Sequence, residues 1–327
     1  MKKFIIIDTF ALMFRAYYAL PDLKTQAGLP SGAVFGMGNF IIQILDMFRP
    51  DYVIAVKDMA AKTFRHEQFE AYKANRTEAP DNFKVQIEHV FRLIESFGIP
   101  LLGIEGFEAD DLAGTLSRRI PLEYDDMDVV CVTGDQDYLQ LVNDRVSILT
   151  PQIGFNKTKL YDRETVFERL GVYPEQVVDF KSLKGDTSDN VPGVPGIGEK
   201  TAAMLLQRFG TLEDVYANID SVEGKLREKL IMYKDQALMC RHLVQLDLNV
   251  SIENFDLQEA VFTPEHFQNV EAVLAEYDCF SVVKKLRAWR ERLNDGTVEG
   301  EWQQDTSAQF RPLKSKISVE NSQQSLF

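Results

Sequence analysis

The sequence predicts an α/β fold, a mostly parallel central sheet flanked by helices, followed by a region of helices alone. Three observations predict it. Short apolar runs alternate with longer stretches of helical periodicity through the first half. Asp residues stand at or just beyond the ends of three of those runs. From about Thr165 the strand-like runs stop.

Residues 4–8, Phe4-Ile5-Ile6-Ile7-Asp8, are apolar for four positions only, too few for a signal peptide or a membrane span, and read as the first buried strand. Residues 34–48 have apolar side chains at helical spacing. Tyr52–Val56 is the second strand, 85–97 an amphipathic helix and Leu101–Leu102 a short third strand. Residues 109–119 return to helical spacing, and 129–133 close the series as a strand. The later helices are broken by one Gly/Pro-rich turn, Gly193-Val194-Pro195-Gly196-Ile197-Gly198. Residues 294–327 are rich in Gln, Ser and charge and are expected to be a disordered tail. The expected organisation is a core over 1–180, a helical region over 181–293 and the tail.

Over 327 residues, 36 Lys and Arg stand against 50 Asp and Glu, a formal net charge of −14. That balance argues against coating nucleic acid by bulk positive charge and leaves a local basic surface open. Cys131, Cys240 and Cys279 have neither metal-ligand nor disulfide-framework spacing, so a cytoplasmic protein without a membrane segment is expected.

In open parallel sheets, functional groups gather beyond the carboxyl ends of strands. Asp8, Asp58 and Asp135 fall there, although a lone Asp after a strand is more often a helix cap. Around them lie tight acidic groups: Glu108, Asp110 and Asp111; Asp135 and Asp137; Asp186 and Asp189. Like charges about 4 Å apart repel by roughly 4 kcal/mol at an effective dielectric near 20, so converging carboxylates need cations. Oxygen-only donors select hard ions, Mg²⁺ or Mn²⁺, and two such ions suit phosphodiester hydrolysis.

The motifs Ile7-Asp8, Lys57-Asp58, Thr63-Phe64-Arg65-His66-Glu67, Glu70-Ala71-Tyr72-Lys73-Ala74-Asn75-Arg76, Glu108-Ala109-Asp110-Asp111, Thr133-Gly134-Asp135-Gln136-Asp137, Gly185-Asp186-Thr187-Ser188-Asp189-Asn190 and Gly193 to Thr201 stand in one order. By these the chain resembles, over roughly residues 4 to 290, the 5′→3′ exonuclease domain of bacterial DNA polymerase I and its flap-endonuclease relatives. The resemblance implies a PIN-like nuclease core with a helical arch near 62–97 and a helix-hairpin-helix near 190–207. It implies metal ligation by Asp8, Asp58, Glu108, Asp110, Asp111, Asp135, Asp137, Asp186 and Asp189, with two or more Mg²⁺ or Mn²⁺ ions and a K⁺ site at the hairpin. It also implies catalytic Lys73 and Arg76 at the scissile phosphate, and DNA contacts from Arg15, Arg65, Tyr72, Gly193, Gly196, Gly198, Lys200 and Thr201. Arg65, Tyr72 and Arg76 are expected on one helical stripe, with Tyr72 stacking on an unpaired base. Expected substrates are DNA with 5′ flaps, nicks or free 5′ ends, and RNA–DNA hybrid at primers. A monomer is expected.

Two positions depart from the family pattern. Thr9-Phe10-Ala11 replaces a glycine and a small polar residue after Asp8, and a Cβ there is expected to crowd the substrate backbone. Lys57 replaces an apolar residue. The final residues, Gln323-Gln324-Ser325-Leu326-Phe327, resemble the peptide with which bacterial replication proteins dock into the sliding clamp, through Gln323, Leu326 and Phe327.

Rival readings fit less well. Gly193 to Thr201 nearly spells a nucleotide-binding P-loop, but Glu199 interrupts it and no strand precedes it. A haloacid-dehalogenase-type phosphatase needs an Asp two residues after Asp8, where Phe10 stands. A non-catalytic DNA-junction binder has no need of the carboxylates. The charge itself divides: eight acidic residues and no Lys or Arg lie between His242 and Phe280, and nine more acids are the candidate ligands. What remains is mildly basic.

Overall fold

A computed structural model describes residues 1–152, 157–252 and 255–294. Six strands form one sheet: β1 (Lys2–Asp8), β2 (Tyr52–Val56), β3 (Leu101–Leu102), β4 (Met127–Val132), β5 (Val146–Pro151) and β6 (Thr158–Tyr161). Their order is β3-β2-β1-β4-β5-β6, parallel throughout except for the antiparallel β5–β6 pair. The last two strands lack a clear signal in sequence. β6 is short and mostly half-exposed, so no run of buried apolar residues marks it.

Strand alternation decides which helices cover which face. Ile5 and Ile7 point into a core with α1 (Thr9–Ala19) and α2 (Gly32–Phe48). Gly36 lets these two helices close up, since a Cβ there would stand 2.5 Å from the Ala16 Cβ. Phe4 and Ile6 point into the opposite core.

The stretch expected as an arch is three short pieces: α3 (Phe64–Gln68), α4 (Asp81–Lys84) and α5 (Ile87–Ser96). Thr63 and His66 cap the first, and extended Phe69 ends it. Lys73 then takes a left-handed conformation, φ 55°, which no continuous helix allows. Arg65, Tyr72 and Arg76 therefore do not share a helical stripe. Far from arching over the site, α5 buries Val90, Leu93 and Ile94 in the core with α2.

On the other face lies α6 (Ala109–Glu123), followed in the chain by α7 (Arg163–Leu170), α8 (Val177–Lys184), α9 (Glu199–Phe209), α10 (Leu212–Ala217), α11 (Gly224–Met232) and α12 (Lys234–Val244). Leu206, Leu212 and Leu230 join the same buried cluster as Phe4 and Leu112, so the helical half is packed on the sheet. Finally α13 (Val270–Glu276) and α14 (Phe280–Asn294) return to the Ile5 face. There the acidic stretch is partly neutralised, Glu271 pairing with Arg287 and Arg290 and Glu276 with Arg92. Among the described residues, no helix is long and apolar enough to cross a membrane. The expected tail and its Gln323, Leu326 and Phe327 lie outside the described residues.

Candidate metal centre

The sheet order reverses at β1, with β2 on one side and β4 on the other, so the crevice of a doubly wound sheet opens at the carboxyl ends of these strands. Asp8 ends β1, where its carboxylate accepts from Ala11 N at 3.2 Å and Thr133 Oγ1 at 2.8 Å. Burial, and then Asp58, pushes its carboxyl up to about 7. Asp58 follows β2 and accepts from Ala109 N at 2.8 Å, which fixes it against the start of α6. Asp135 follows β4 and accepts from Asp137 N at 2.8 Å. Its carboxyl too is raised by burial, against the pull of Lys181.

α6 begins in the same crevice, and Glu108, Asp110 and Asp111 bring one carboxylate oxygen each within 4.8 Å of one another. Burial, then Glu108 and Asp111, holds the Asp110 carboxyl well above the usual range. Its Oδ1 is buried with no hydrogen-bond partner among the described residues. An orphaned carboxylate oxygen in an oxygen-only cluster is what a hard cation satisfies, so Asp110, with Glu108 beside it, fits a divalent ion. Asp186 and Asp189 arrive from the loop after α8. Asp137 and Asp186 share the buried ammonium of Lys181, 2.7 Å from Asp186. Although burial pushes the Asp186 carboxyl up, Lys181 outweighs it and takes it down to about 2.

Asp111 differs from the other eight. Its Oδ1 accepts from Arg65 Nη2 at 2.7 Å and Asp247 N at 2.8 Å; its Oδ2 accepts from Arg65 Nη1 at 2.8 Å and Glu108 N at 3.2 Å. Four bonds fill a carboxylate's lone-pair sites and leave none for a metal. The expectation of Asp111 as a ligand is corrected accordingly: it anchors Arg65.

Arg65, expected on DNA, is 1% exposed. Besides Asp111 it donates to Glu108 Oε2 at 3.0 Å, to the Leu243 carbonyl at 2.9 Å and to the Gln245 carbonyl at 3.0 Å. A guanidinium so enclosed has no donor left for a phosphate. Tyr72, expected to stack on a base, is also buried; its hydroxyl lies 3.1 Å from Glu108 Oε2 and 3.2 Å from Asp189 Oδ2. The Lys73 ammonium is 2.7 Å from Glu108 Oε1 and 3.8 Å from Asp189, and Arg76 donates to Asp189 at 2.6 Å from a half-exposed position. Lys73 and Arg76 thus flank the carboxylates at the rim.

Arg15 projects from α1 to the same edge, its Nη1 3.8 Å from where a Cβ on Gly134 would stand. Thr9 is fully buried and does not present its Cβ to a substrate, contrary to expectation. The two departures, Phe10 and Lys57, meet on one ring: Phe10 packs edge-on against Phe91 at 5.9 Å, and the Lys57 ammonium lies 4.5 Å from its centroid.

The hairpin joins α8 to α9. Gly193 has φ 61°, and a Cβ there would lie 2.2 Å from Gly185 N, so the chain closes only without one. Gly196, Gly198 and Lys200 are exposed and Thr201 half-buried at the start of α9, whose N-cap is Gly198 with no side-chain cap hydrogen bond. A helix, not a strand, precedes the turn, which removes the P-loop reading. Sequence reasoning missed two lysines here. Lys181 follows Phe180 in α8, five residues before Asp186, and Asp179, Ser182 and Lys184 in the same helix mask it as one more polar position. Lys229 lies against Gly196 from α11, and nothing local announces it.

Residues 3–171 match the family model for the 5′-3′ exonuclease N-terminal resolvase-like domain, and residues 172–268 that for the 5′-3′ exonuclease C-terminal SAM fold. The chain belongs to the 5′-3′ exonuclease family. As a member of that family it is a nuclease. It is similar to DNA polymerase I of Caldicellulosiruptor bescii, 39% identical over 290 residues that are 87% of this chain and 33% of that protein. It is also similar to DNA polymerase I of Bacillus subtilis, 38% identical over 253 residues, 77% of this chain and 28% of that protein. The chain thus spans about a third of the length of these relatives. Among solved structures, bacteriophage T5 5′-exonuclease aligns with TM-score 0.62 and 24% identity, covering 89% of this chain and 99% of that one. The catalytic core of Rad2 aligns with TM-score 0.56 and 17% identity, covering 88% and 92%. At these identities the likeness is one of fold.

Proposed function

We propose that this chain hydrolyses DNA phosphodiesters near 5′ ends and junctions, as a 5′→3′ exonuclease and structure-specific flap endonuclease, with divalent ions held by Asp8, Asp58, Glu108, Asp110, Asp135, Asp137, Asp186 and Asp189. The observation that carries it is the orphaned, buried Asp110 oxygen inside an oxygen-only carboxylate crevice of a family nuclease. The T5 neighbour carries bound divalent metal ions, zinc in that structure, and the Rad2 core is in complex with DNA substrate. All-oxygen donors favour Mg²⁺ or Mn²⁺ over softer ions.

Divalent ions there supply Lewis-acid stabilisation of the phosphodiester oxygens and an activated water at neutral pH. Lys73 and Arg76, at the rim over the same carboxylates, take up charge developing on the phosphate. The amides at the glycine-capped N-terminus of α9, with Lys200 and Lys229, grip a duplex phosphate without reading sequence. Arg15 is a further phosphate contact at the crevice.

A non-catalytic junction binder has no reason to hold the Asp110 carboxyl in so costly a state, and that reading is not favoured. The test is product mapping on labelled flap, nicked and RNA-primed duplexes, with Mg²⁺ and then chelator. Asp110→Asn is expected to abolish cleavage while leaving duplex affinity within a few-fold of the parent. Full turnover by this variant would remove the site assignment.

A further inference from the structure

The segment that carries Lys73 is not held by a helix. It is held by a strip of hydrogen bonds to the loop after α8. Asn75 Nδ2 donates to the Thr187 carbonyl at 2.6 Å, Lys73 N to the Asp189 carbonyl at 3.0 Å, and Asn190 Nδ2 to the Ala71 carbonyl at 2.7 Å. The partners run in opposite directions, 75 opposite 187 and 73 opposite 189, as in an antiparallel pair of strands. Two of the three bonds come from asparagine side chains.

Both segments are bent where they meet. Lys73 and Asn190 have left-handed φ, 55° and 58°. Asn tolerates that conformation, whereas a lysine adopts it only when its surroundings require it. The bend turns the Lys73 amide to Asp189 while its ammonium reaches Glu108.

The receiving loop is rigid by its own bonds. Asp186 and Val191 exchange both backbone hydrogen bonds, at 2.8 and 2.7 Å, and Lys181 holds the Asp186 carboxylate. Two residues beyond Val191 the hairpin begins, tied back by Val194 N to the Leu183 carbonyl at 2.8 Å and by Gln236 to the Gly193 carbonyl. The chain that would contact duplex phosphate therefore continues directly into the loop on which the Lys73 segment rests.

Resting on the nuclease reading above, we infer that Asn75 and Asn190 are positioning residues forming a latch, through which the hairpin-bearing helical region sets the placement of Lys73 and Arg76 over the carboxylates. Neither asparagine touches the substrate in this scheme. Each acts through the segment it holds.

Two variants test the latch. Asn190→Gly keeps the backbone conformation and removes the side-chain donor, and Asn75→Ala removes the other. In the metal-free protein, amide exchange of residues 71–76 is expected to rise about tenfold or more in the double variant, with β1 and β4 unchanged. Unchanged exchange in 71–76 overturns the latch whether or not the chain cleaves DNA, so this arm stands apart from the functional reading. In single-turnover cleavage with Mg²⁺, the double variant is expected to lose about tenfold or more in rate, with duplex affinity within twofold. Placed in a Lys73→Ala, Arg76→Ala background, the same changes are expected to cost less than about twofold further, because the groups they position are gone. Losses that multiply in full in that background would make the asparagines merely structural and overturn the proposal.

Discussion

Replacing Arg65 by methionine separates a buried anchor from a DNA contact. The substitution keeps an unbranched apolar stem and deletes a guanidinium that is 1% exposed and bonded to Asp111, Glu108 and two carbonyls. Asp111, fully buried, is left with two backbone donors and no counter-charge. Removing one partner of a buried pair costs about 3–5 kcal/mol, and solvent screening does not reduce it here. For a chain of this size that is a Tm lower by roughly 6–15 °C. Thermal melts and urea midpoints of Arg65→Met, Asp111→Leu and the double variant measure it. The double variant is expected to recover at least about 1.5 kcal/mol relative to the sum, since removing both charges leaves neither one unpaired. The second assay is duplex affinity against salt. A phosphate contact would lower the slope of log K against log salt by about 0.9 when deleted. A buried anchor leaves it unchanged. A Tm within about 1 °C of the parent, together with a slope reduced by about one, would refute the burial argument.

The remaining expectations concern charge and the tail. Without divalent ions, Asp8 holds its proton in the fold up to about 7, whereas the unfolded chain releases it near 4, so the folded state binds more protons between those values. Stability in chelator should therefore fall as pH rises from about 4 to about 7, by up to roughly 1.4 kcal/mol per pH unit for this group. Mg²⁺ should raise Tm more at pH 7.5 than at pH 5, and melts showing the reverse order would contradict it. Asp186, held at about 2, works in the other direction, but only as pH falls below about 4. Lys181→Met leaves Asp137 and Asp186 without their shared cation and should cost about 3–5 kcal/mol in chelator, with much of the loss recovered by Mg²⁺. Equal losses with and without Mg²⁺ would place Lys181 outside the ion-binding network. Deleting Gln323 to Phe327 should abolish capture by a sliding clamp in a pull-down while leaving flap cleavage unchanged; undiminished capture would end that reading.

The carboxylate crevice was legible because it follows from a local rule. An Asp that closes a buried apolar run lies at the carboxyl end of a strand, and parallel strands bring those ends together. Asp8, Asp58 and Asp135 could thus be placed without any contact being known, and the alternation of runs gave the sheet before any pairing was seen. β5 and β6 were not legible in the same way: β5 lies inside the sheet, but Ser147 and Thr150 interrupt its apolar run, and the edge strand β6 is short and mostly part-exposed.

The roles of the charged residues were decided in three dimensions. On paper Arg65, Tyr72, Lys73 and Arg76 are one basic-aromatic stretch, and a helical reading sends them all toward DNA. In the fold two go inward and two stay at the rim. What separates them is the position of counter-charges from distant parts of the chain. Asp111 lies 46 residues from Arg65, and the Leu243 carbonyl lies 178 away. Lys181 likewise becomes an internal cation because Asp137 and Asp186 reach it from two different loops. Periodicity records whether a segment has an apolar face. It does not record whether a charge on that segment will find partners enough to leave water, since desolvation is offset only by groups that the whole fold assembles. The sequence by itself determined four of the sheet's strands, their acidic edge and the hard-ion chemistry that edge suits. Only the tertiary structure decided that Asp111 holds an arginine instead of a metal, and that Lys73 reaches the carboxylates from a strip of chain latched to the helical half.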